Sequence, residues 1–336
     1  MNNKRERRLR KSAPTLRSAL ALYVVEIASQ KNSIKQAKSL ERIWNSTRLA
    51  SRTIASIKNL DLHQIMDEWL ETLAPSTVCR RVAMISHMYT IARKKWGFDW
   101  IPNPVELVQL PAVDDARDRR LFDHMRLRGV SEDECPRNEL DWIINATRSA
   151  QLPTILWLAV ETAMRRAEIT RIERQHIDLT RDTIYIPITK NREPRIVPLS
   201  PWAKYVLRLY LHGRPRRGPI FTLDPDGVTK AFIRARTKAK ENYHALCAKY
   251  GRRPQPAYFD DLRFHDMRHE ATSRLANVYQ IHQLAKITGH KDPKMLLRYY
   301  HPDGYDLSRI LAKSELGRRQ LDYIRTITQQ EDRLAA

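Results

Sequence analysis

The sequence predicts a mainly α-helical protein with two domains. Its 336 residues are roughly twice the length of a common domain. Apolar residues recur at three- and four-residue steps through most of the chain, which is the spacing of one helical face. Only one pair of β-rich runs, between 183 and 199, interrupts these patterns. With 42% hydrophobic residues, each domain can bury a core of its own.

Helical patterns run from Thr15 to about Trp100. The clearest helix follows Pro75, with Ser76 as its expected cap and Gly97 as its expected end. Its apolar stripe consists of Val78, Val82, Ile85, Tyr89 and Ala92.

Basic residues lie largely off that stripe and form a candidate DNA-contacting face. They are Arg80, Arg81, Arg93, Lys94 and Lys95. A basic face is often simply solvated, but the chain carries a net charge of +22, from 60 Lys and Arg against 38 Asp and Glu. This excess favours a polyanionic partner. The basic tail, 1–12, is either a further phosphate contact or a solvated segment, and the sequence leaves both open.

Residues 111–122 have the composition of a linker, with Pro111 and alternating charges. The predicted domains are therefore 13–110 and 123–336. In the second, the runs 183–188 and 195–199 predict a β-hairpin with Lys190 at its basic tip. The helices predicted there are 138–149, 153–172, 227–249, 264–278, 281–288, 293–301 and 306–330.

Membrane, secreted and zinc-binding classes are disfavoured. No apolar run approaches the roughly 18 to 20 residues that cross a bilayer, and the first residues lack the apolar core of a signal peptide. A cytoplasmic, nucleoid-associated protein is expected. Cys79, Cys135 and Cys247 are isolated, without the spacing of a disulfide framework or a zinc site, and are interpreted as reduced packing residues.

Several polar residues have spacings that suit phosphodiester chemistry. Glu168 follows Arg165 by three residues, and Arg268 follows His265 by the same step, so each pair shares a helical face. Each pair alone is more often structural than functional. Further on, Gly289 is expected to end a helix, Asp292 with Pro293 to begin the next, and a tyrosine follows the Gly-His pair by nine residues.

Taken in order, these residues resemble the signature of the tyrosine recombinase or phage integrase family. The matching positions are Arg165, Lys190, His265, Arg268, His290 and Tyr299, and the resemblance spans about 15–315. It implies an all-helical, SAM-like core-binding domain at the N-terminus, followed by a mostly helical catalytic domain with a small β-hairpin or sheet.

The resemblance also implies a role for each matching residue. Tyr299 would attack the scissile phosphate, giving a 3′-phosphotyrosyl link and a free 5′-hydroxyl. Arg165 and Arg268 would hold the nonbridging oxygens, because planar, permanently charged groups suit a pentacoordinate phosphorane. Lys190 would protonate the departing 5′ oxygen.

The remaining implied roles are supporting ones. His265 would assist proton transfer at the tyrosine, and His290 would donate a hydrogen bond to the phosphate. Glu168 would support Arg165. No metal or cofactor is implied.

Three features depart from the family pattern. Ala163 stands where a glycine is usual, a change expected to be tolerated. Tyr300 directly follows Tyr299, and because successive helical residues point about 100° apart, only one can face the phosphate; the spacing favours Tyr299. Few residues precede the first helical pattern, so an additional arm-type DNA-binding domain is not expected in this sequence.

The expected function is therefore site-specific recombination or integration of double-stranded DNA, by a homo-tetramer on two paired sites, with accessory proteins as possible partners. Within helix 306–330 an apolar stripe suits either a contact between protomers or packing on its own domain. Its members are Leu307, Ile310, Leu311, Leu321, Ile324 and Ile327. Two alternative functions are a type IB topoisomerase and a DNA-binding relative that has lost cleavage.

Overall fold

The computed structural model describes residues 13–30, 34–114, 117, 119–187, 193–300 and 304–335, except for the side chains of 306 and 330–335. The predicted basic tail and Lys190 lie outside the described residues. The chain divides into two compact units, Met1–Arg117 and Asp118–Ala336, and the division falls inside the segment 111–122.

The described part of the first unit consists of helices joined by turns and loops. Its helices are α1 (Leu16–Glu26), α2 (Ile34–Asn45), α3 (Asn59–Leu70) and α4 (Pro75–Lys95), with short 3₁₀ turns at Ala28–Gln30 and Pro104–Leu107. Trp44 and Tyr89 are fully buried at its centre. Because a buried hydroxyl needs a partner, Tyr89 donates to the carbonyl of Ile54 at 2.8 Å.

Helix α4 carries the predicted apolar stripe, whose five members are all buried. Its predicted cap is wrong: Ala74 is the N-cap residue, Pro75 occupies the first turn, and Ser76 lies inside the helix. Proline suits that position because its fixed φ is already helical and its missing N–H needs no partner. Gly97 follows the helix with φ +75°, which confirms its predicted role.

The second unit combines helices with one small sheet. Its helices are α5 (Glu139–Ala146), α6 (Leu152–Thr162), α7 (Arg166–Ile169), α8 (Pro201–Leu211), α9 (Pro225–Lys249), α10 (Asp266–Ala276), α11 (Ile281–Thr288), α12 (Gly304–Lys313) and α13 (Glu315–Ala335). Helix α6 is buried along most of its length and packs against α8 and α10, while α9 packs along α5.

The sheet has three antiparallel strands in the order β1 (Ile177–Asp178), β2 (Thr183–Ile186) and β3 (Arg195–Pro198). Strands β2 and β3 form the predicted hairpin, with Ile184 opposite Val197. Strand β1 was not predicted, since two residues are too few to show an alternating pattern.

Three predicted helices differ in the structure. The run 153–172 breaks at Ala163, whose φ of 53° is left-handed and ends α6. The run 293–301 is a 3₁₀ helix, Pro293–Tyr299. The run 306–330 is two helices that meet at Ser314, whose hydroxyl donates to the Leu311 carbonyl and accepts from the Gly317 N–H.

Cys135 and Cys247 are buried free thiols, and Cys79 is a partly buried one. Among the described helices, none combines the length and apolar character needed to span a bilayer.

Candidate active site

Arg165 lies in the short break between α6 and α7. Its backbone is extended, and its N–H donates to Glu168 Oε2 at 2.8 Å. Its guanidinium donates to Glu168 Oε1 at 3.1 Å and to the Gly289 carbonyl at 3.3 Å. The left-handed Ala163 turns the chain out of α6 so that the Arg165 side chain approaches the end of α11.

Arg195 completes this cluster and was missed by the sequence analysis. From β3 its guanidinium donates to both oxygens of Glu168, at 2.9 and 2.7 Å, while its Nε donates to the Ile287 carbonyl at 2.8 Å. The alternation of the strand held a usable signal: Arg195 lies on the same face as Val197, which is core.

The carboxylate of Glu168 is held ionised by its two arginines. Burial alone would raise its pKa, but the hydrogen bonds and charges of Arg195 and Arg165 lower that pKa to about 2. Glu168 is therefore a fixed negative charge beneath two guanidinium groups.

Arg268 enters the same region from the first turn of α10. Its Nη1 donates to the Ala163 carbonyl, and its Nη2 donates to the Thr288 carbonyl at 2.8 Å. Burial and the nearby charge of Arg165 lower the pKa of Arg268 to about 9, so the group remains charged at neutral pH. Two backbone carbonyl oxygens thus hold this buried cation in place.

His290 follows Gly289 at the end of α11. Its Nδ1 lies 2.6 Å from the Thr288 hydroxyl, which itself donates to the Leu284 carbonyl, so the proton of the neutral ring is assigned to Nδ1. Its Nε2 lies 3.5 Å from Arg268 Nη2. Burial and the charges of Arg268 and Arg165 lower the pKa of His290 to about 4.

Gly289 is required here for two reasons. Its φ of +70° is left-handed, and a Cβ at this position would lie 3.3 Å from Arg195 Nη1 and 3.5 Å from Arg165 Nη1. The absent side chain lets both guanidinium groups approach the backbone.

Tyr299 and Tyr300 have different partners. The Tyr299 hydroxyl lies 2.6 Å from Nδ1 of His269, whereas the Tyr300 hydroxyl donates to the Tyr279 carbonyl at 2.6 Å. Because the segment is 3₁₀, successive side chains diverge by about 120° rather than the 100° of an α-helix.

The imidazole at the Tyr299 hydroxyl is not the one that the sequence analysis assigned to proton transfer. His265 keeps part of its surface open to solvent and is partly covered by its neighbours, and its ring meets that of His269 edge-on at 5.0 Å between centroids. Partial burial and the neighbouring His269 and Arg268 lower the pKa of His265 to about 4. The signal for His269 was its position four residues after His265, on the same helical face.

The structure thus brings Arg165, Arg268 and His290 together. Tyr299 contacts His269, which is the residue after Arg268 on α10. Among the described residues, no cluster of His, Cys, Asp and Glu could hold a metal ion.

The basic residues of α4, in the first unit, differ in how exposed they are. Arg80, Arg93, Lys94 and Lys95 are exposed on α4. Arg81 is partly buried and stacks over the Trp69 ring at 4.6 Å, so it is a packing residue as well as a charge.

Known proteins resemble this chain in sequence and in fold. The sequence profile of the phage integrase family matches residues 136–304. A shufflon-specific DNA recombinase of Escherichia coli is 30% identical over 328 residues, which cover 93% of this chain and 74% of that protein. The chain belongs to the phage integrase family. As a member of that family, it is a tyrosine recombinase.

Other members of the phage integrase family are also similar. A putative integrase/recombinase of Haemophilus influenzae is 27% identical over 264 residues, covering 78% of this chain and 79% of the relative. The Tn1549 transposon integrase in complex with transposon right end DNA aligns with a TM-score of 0.64 at 18% identity, covering 89% of this chain and 99% of that one.

A lambda integrase tetramer bound to a Holliday junction aligns with a TM-score of 0.62 at 17% identity, covering 88% of this chain and 80% of that one. These two structural likenesses show the shared fold.

Proposed function

We propose that the protein cleaves and rejoins double-stranded DNA at a specific site through a 3′-phosphotyrosyl link on Tyr299, and exchanges strands between two such sites. The observation that carries this proposal is the convergence of Arg165, Arg268 and His290 at the end of α11. His269, which follows Arg268 on α10, contacts the Tyr299 hydroxyl.

The two guanidinium groups suit a reaction in which negative charge builds up on nonbridging phosphate oxygens. Their hydrogen bonds to Glu168 and to backbone carbonyls fix both groups before substrate binds. Donors that are already oriented stabilise a developing charge without reorganising, which is the largest contribution to many enzymatic rates.

His290 would act on the same phosphate once DNA is bound. Its neutral ring carries the proton on Nδ1, toward Thr288. A bound phosphate brings negative charge close to the imidazole and raises its pKa, so that Nε2 can also carry a proton and donate to the phosphate.

The assembly proposed is a homo-tetramer on two paired DNA sites. Helices α12 and α13 expose a row of large apolar side chains, among them Leu307, Ile310, Leu311, Leu321 and Ile324. Of the two roles left open by the sequence, this exposure favours a contact between protomers, because burial against a neighbour would remove the row from water.

The test is covalent trapping on a nicked suicide substrate built from DNA flanking the gene. Wild-type protein should form a covalent complex, and Tyr299→Phe should bind the DNA without forming one. Tyr300→Phe is the matched control: it loses a hydrogen bond to the Tyr279 carbonyl, worth about 1 kcal/mol of stability, and keeps the covalent complex. A covalent complex formed by Tyr299→Phe would show that another residue is the nucleophile.

Lys190, proposed as the general acid, can be tested on two substrates. Lys190→Ala should slow cleavage of the normal phosphodiester much more than cleavage of a substrate with a 5′-bridging sulfur, because a thiolate leaves without protonation. Equal slowing on both would remove Lys190 from this role.

A further inference from the structure

The Tyr299 hydroxyl is paired with an imidazole that the family signature does not include. His269 Nδ1 lies 2.6 Å from the phenol oxygen, and the two rings are tilted by 32° with centroids 6.2 Å apart. This separation is within the range in which a phenolic proton passes directly to a ring nitrogen.

Three consecutive residues of α10 serve three different neighbours. Arg268 reaches the carbonyls of Ala163 and Thr288, His269 reaches Tyr299, and Glu270 reaches Arg120. Successive helical residues point about 100° apart, so the orientation of the helix about its own axis sets the directions of all three side chains. The phosphate pocket and the tyrosine partner are thereby set by the same element.

Glu270 fixes that orientation. Its buried carboxylate accepts from Arg120 Nε at 2.8 Å, Arg120 Nη2 at 3.2 Å, Arg274 Nε at 2.7 Å and the Leu121 N–H at 3.3 Å. Three of these donors belong to Arg120 and Leu121, outside α10, so they restrain the movement of the helix that carries Glu270. His269 is therefore presented to Tyr299 from a rigid support.

Arg120 adds a positive charge near the tyrosine. Its hydrogen bonds to Glu270 are the main reason that its pKa is raised, and negative charge on Tyr299 acts in the same direction. The guanidinium is therefore close enough to Tyr299 for the two groups to interact electrostatically.

We infer that His269 is the general base for Tyr299. In strand cleavage the phenolic O–H bond breaks and its proton passes to His269 Nδ1, while the phenol oxygen bonds to phosphorus. The P–O5′ bond then breaks, and the 5′ oxygen takes a proton from the general acid. In rejoining, His269 returns its proton to the departing phenol oxygen. The inference rests on the proposed function, with Tyr299 as the nucleophile.

The first test uses no DNA, so it is independent of the proposed function. Tyrosines are labelled with ¹³C at Cζ, and the Tyr299 resonance is identified by its loss in Tyr299→Phe. We expect this resonance to shift with pH as the adjacent imidazole titrates, and to lose that dependence in His269→Ala. A Tyr299 resonance with the same pH dependence in both proteins overturns the inference, whatever the protein does to DNA.

The second test measures the single-turnover rate of covalent complex formation on the suicide substrate. His269→Ala should slow it by about 100-fold or more, with DNA affinity unchanged, and added imidazole should restore part of the rate. In this variant the rate should keep rising with pH toward the ordinary tyrosine pKa of about 10. The control His282→Ala removes an exposed histidine of α11 and should behave as wild type.

His269→Gln separates a base from a positioning residue. Glutamine can accept a hydrogen bond from Tyr299 but cannot take its proton, so the variant should remain as slow as His269→Ala. A wild-type rate in His269→Gln, or in His269→Ala, overturns the inference while leaving the recombinase proposal intact. A wild-type protein that forms no covalent complex on any flanking DNA counts against the proposed function instead.

Discussion

Arg195 and Glu168 form a buried, two-pronged ion pair beneath the proposed phosphate pocket. The two nitrogens of Arg195 lie 2.9 and 2.7 Å from the two carboxylate oxygens, and the residues are 8% and 7% exposed. Through Glu168 this pair also holds Arg165, whose Nη1 donates to the same carboxylate. A residue from the sheet thus positions a guanidinium proposed to bind phosphate.

Removing Arg195 should therefore damage both stability and cleavage. Arg195→Ala leaves a buried carboxylate with one guanidinium fewer, and a loss of about 3 to 5 kcal/mol in unfolding free energy is expected. Arg195→Lys should recover only part, since an ammonium cannot form the two parallel hydrogen bonds. Urea unfolding checks this, with the exposed Arg171→Ala as a control expected within about 0.5 kcal/mol of wild type. An Arg195→Ala protein as stable as wild type would contradict the proposed support.

Ala163 should be replaceable by glycine with a gain in stability. A φ of 53° destabilises a residue that has a Cβ by about 1 to 2 kcal/mol. Glycine avoids this strain, but it loses more conformational entropy on folding, which cancels part of the gain. Ala163→Gly is expected to raise the unfolding free energy by up to about 1 kcal/mol and to leave cleavage intact.

Ala159→Gly is the matched control in the middle of α6, where the helix is regular and the same change should destabilise. Thermal melting of both variants checks the pair. A lower melting temperature for Ala163→Gly would show that the left-handed turn carries no strain.

Acid should destabilise the protein in two successive pH windows, which overlap slightly. His290 has its pKa lowered from 6.5 to about 4 in the folded state, so the unfolded chain binds the proton more readily and stability falls as pH drops from about 6.5 to 4. Glu168 has its pKa lowered from 4.5 to about 2, so its stabilisation is lost between about 4.5 and 2.

Melting temperatures of wild type and His290→Gln, measured from pH 7 to pH 4, test the first window. The variant should show a smaller decrease, because glutamine has no proton to gain. Parallel curves for the two proteins would assign the decrease to other groups.

The exposed end of α4 should contribute to DNA affinity through charge alone. Lys94→Ala and Lys95→Ala, if each removes one phosphate contact, should each lower the slope of log affinity against log salt by about 0.9, equally on specific and nonspecific DNA. Arg81→Ala should behave differently and lower the melting temperature, because its side chain covers the Trp69 ring. Unchanged salt slopes in both lysine variants would remove this face from the DNA contact.

The sequence alone determined the class of protein and most of its helices. Periodicity predicted the apolar stripe of α4 and the hairpin, because burial of one face makes apolar residues recur at regular intervals along the sequence. Fixed spacings also pointed to Arg165, Arg268, His290 and Tyr299 as candidates, and the structure brings the first three together.

Tertiary structure decided which groups meet. The sequence analysis assigned no role to Arg195 or His269, and their partners Glu168 and Tyr299 lie 27 and 30 residues away along the chain. Whether two such side chains make contact depends on how β3, α10 and the segment Pro293–Tyr299 pack around α6 and α11. No local spacing encodes that packing, because it is set by the burial of the whole unit's core.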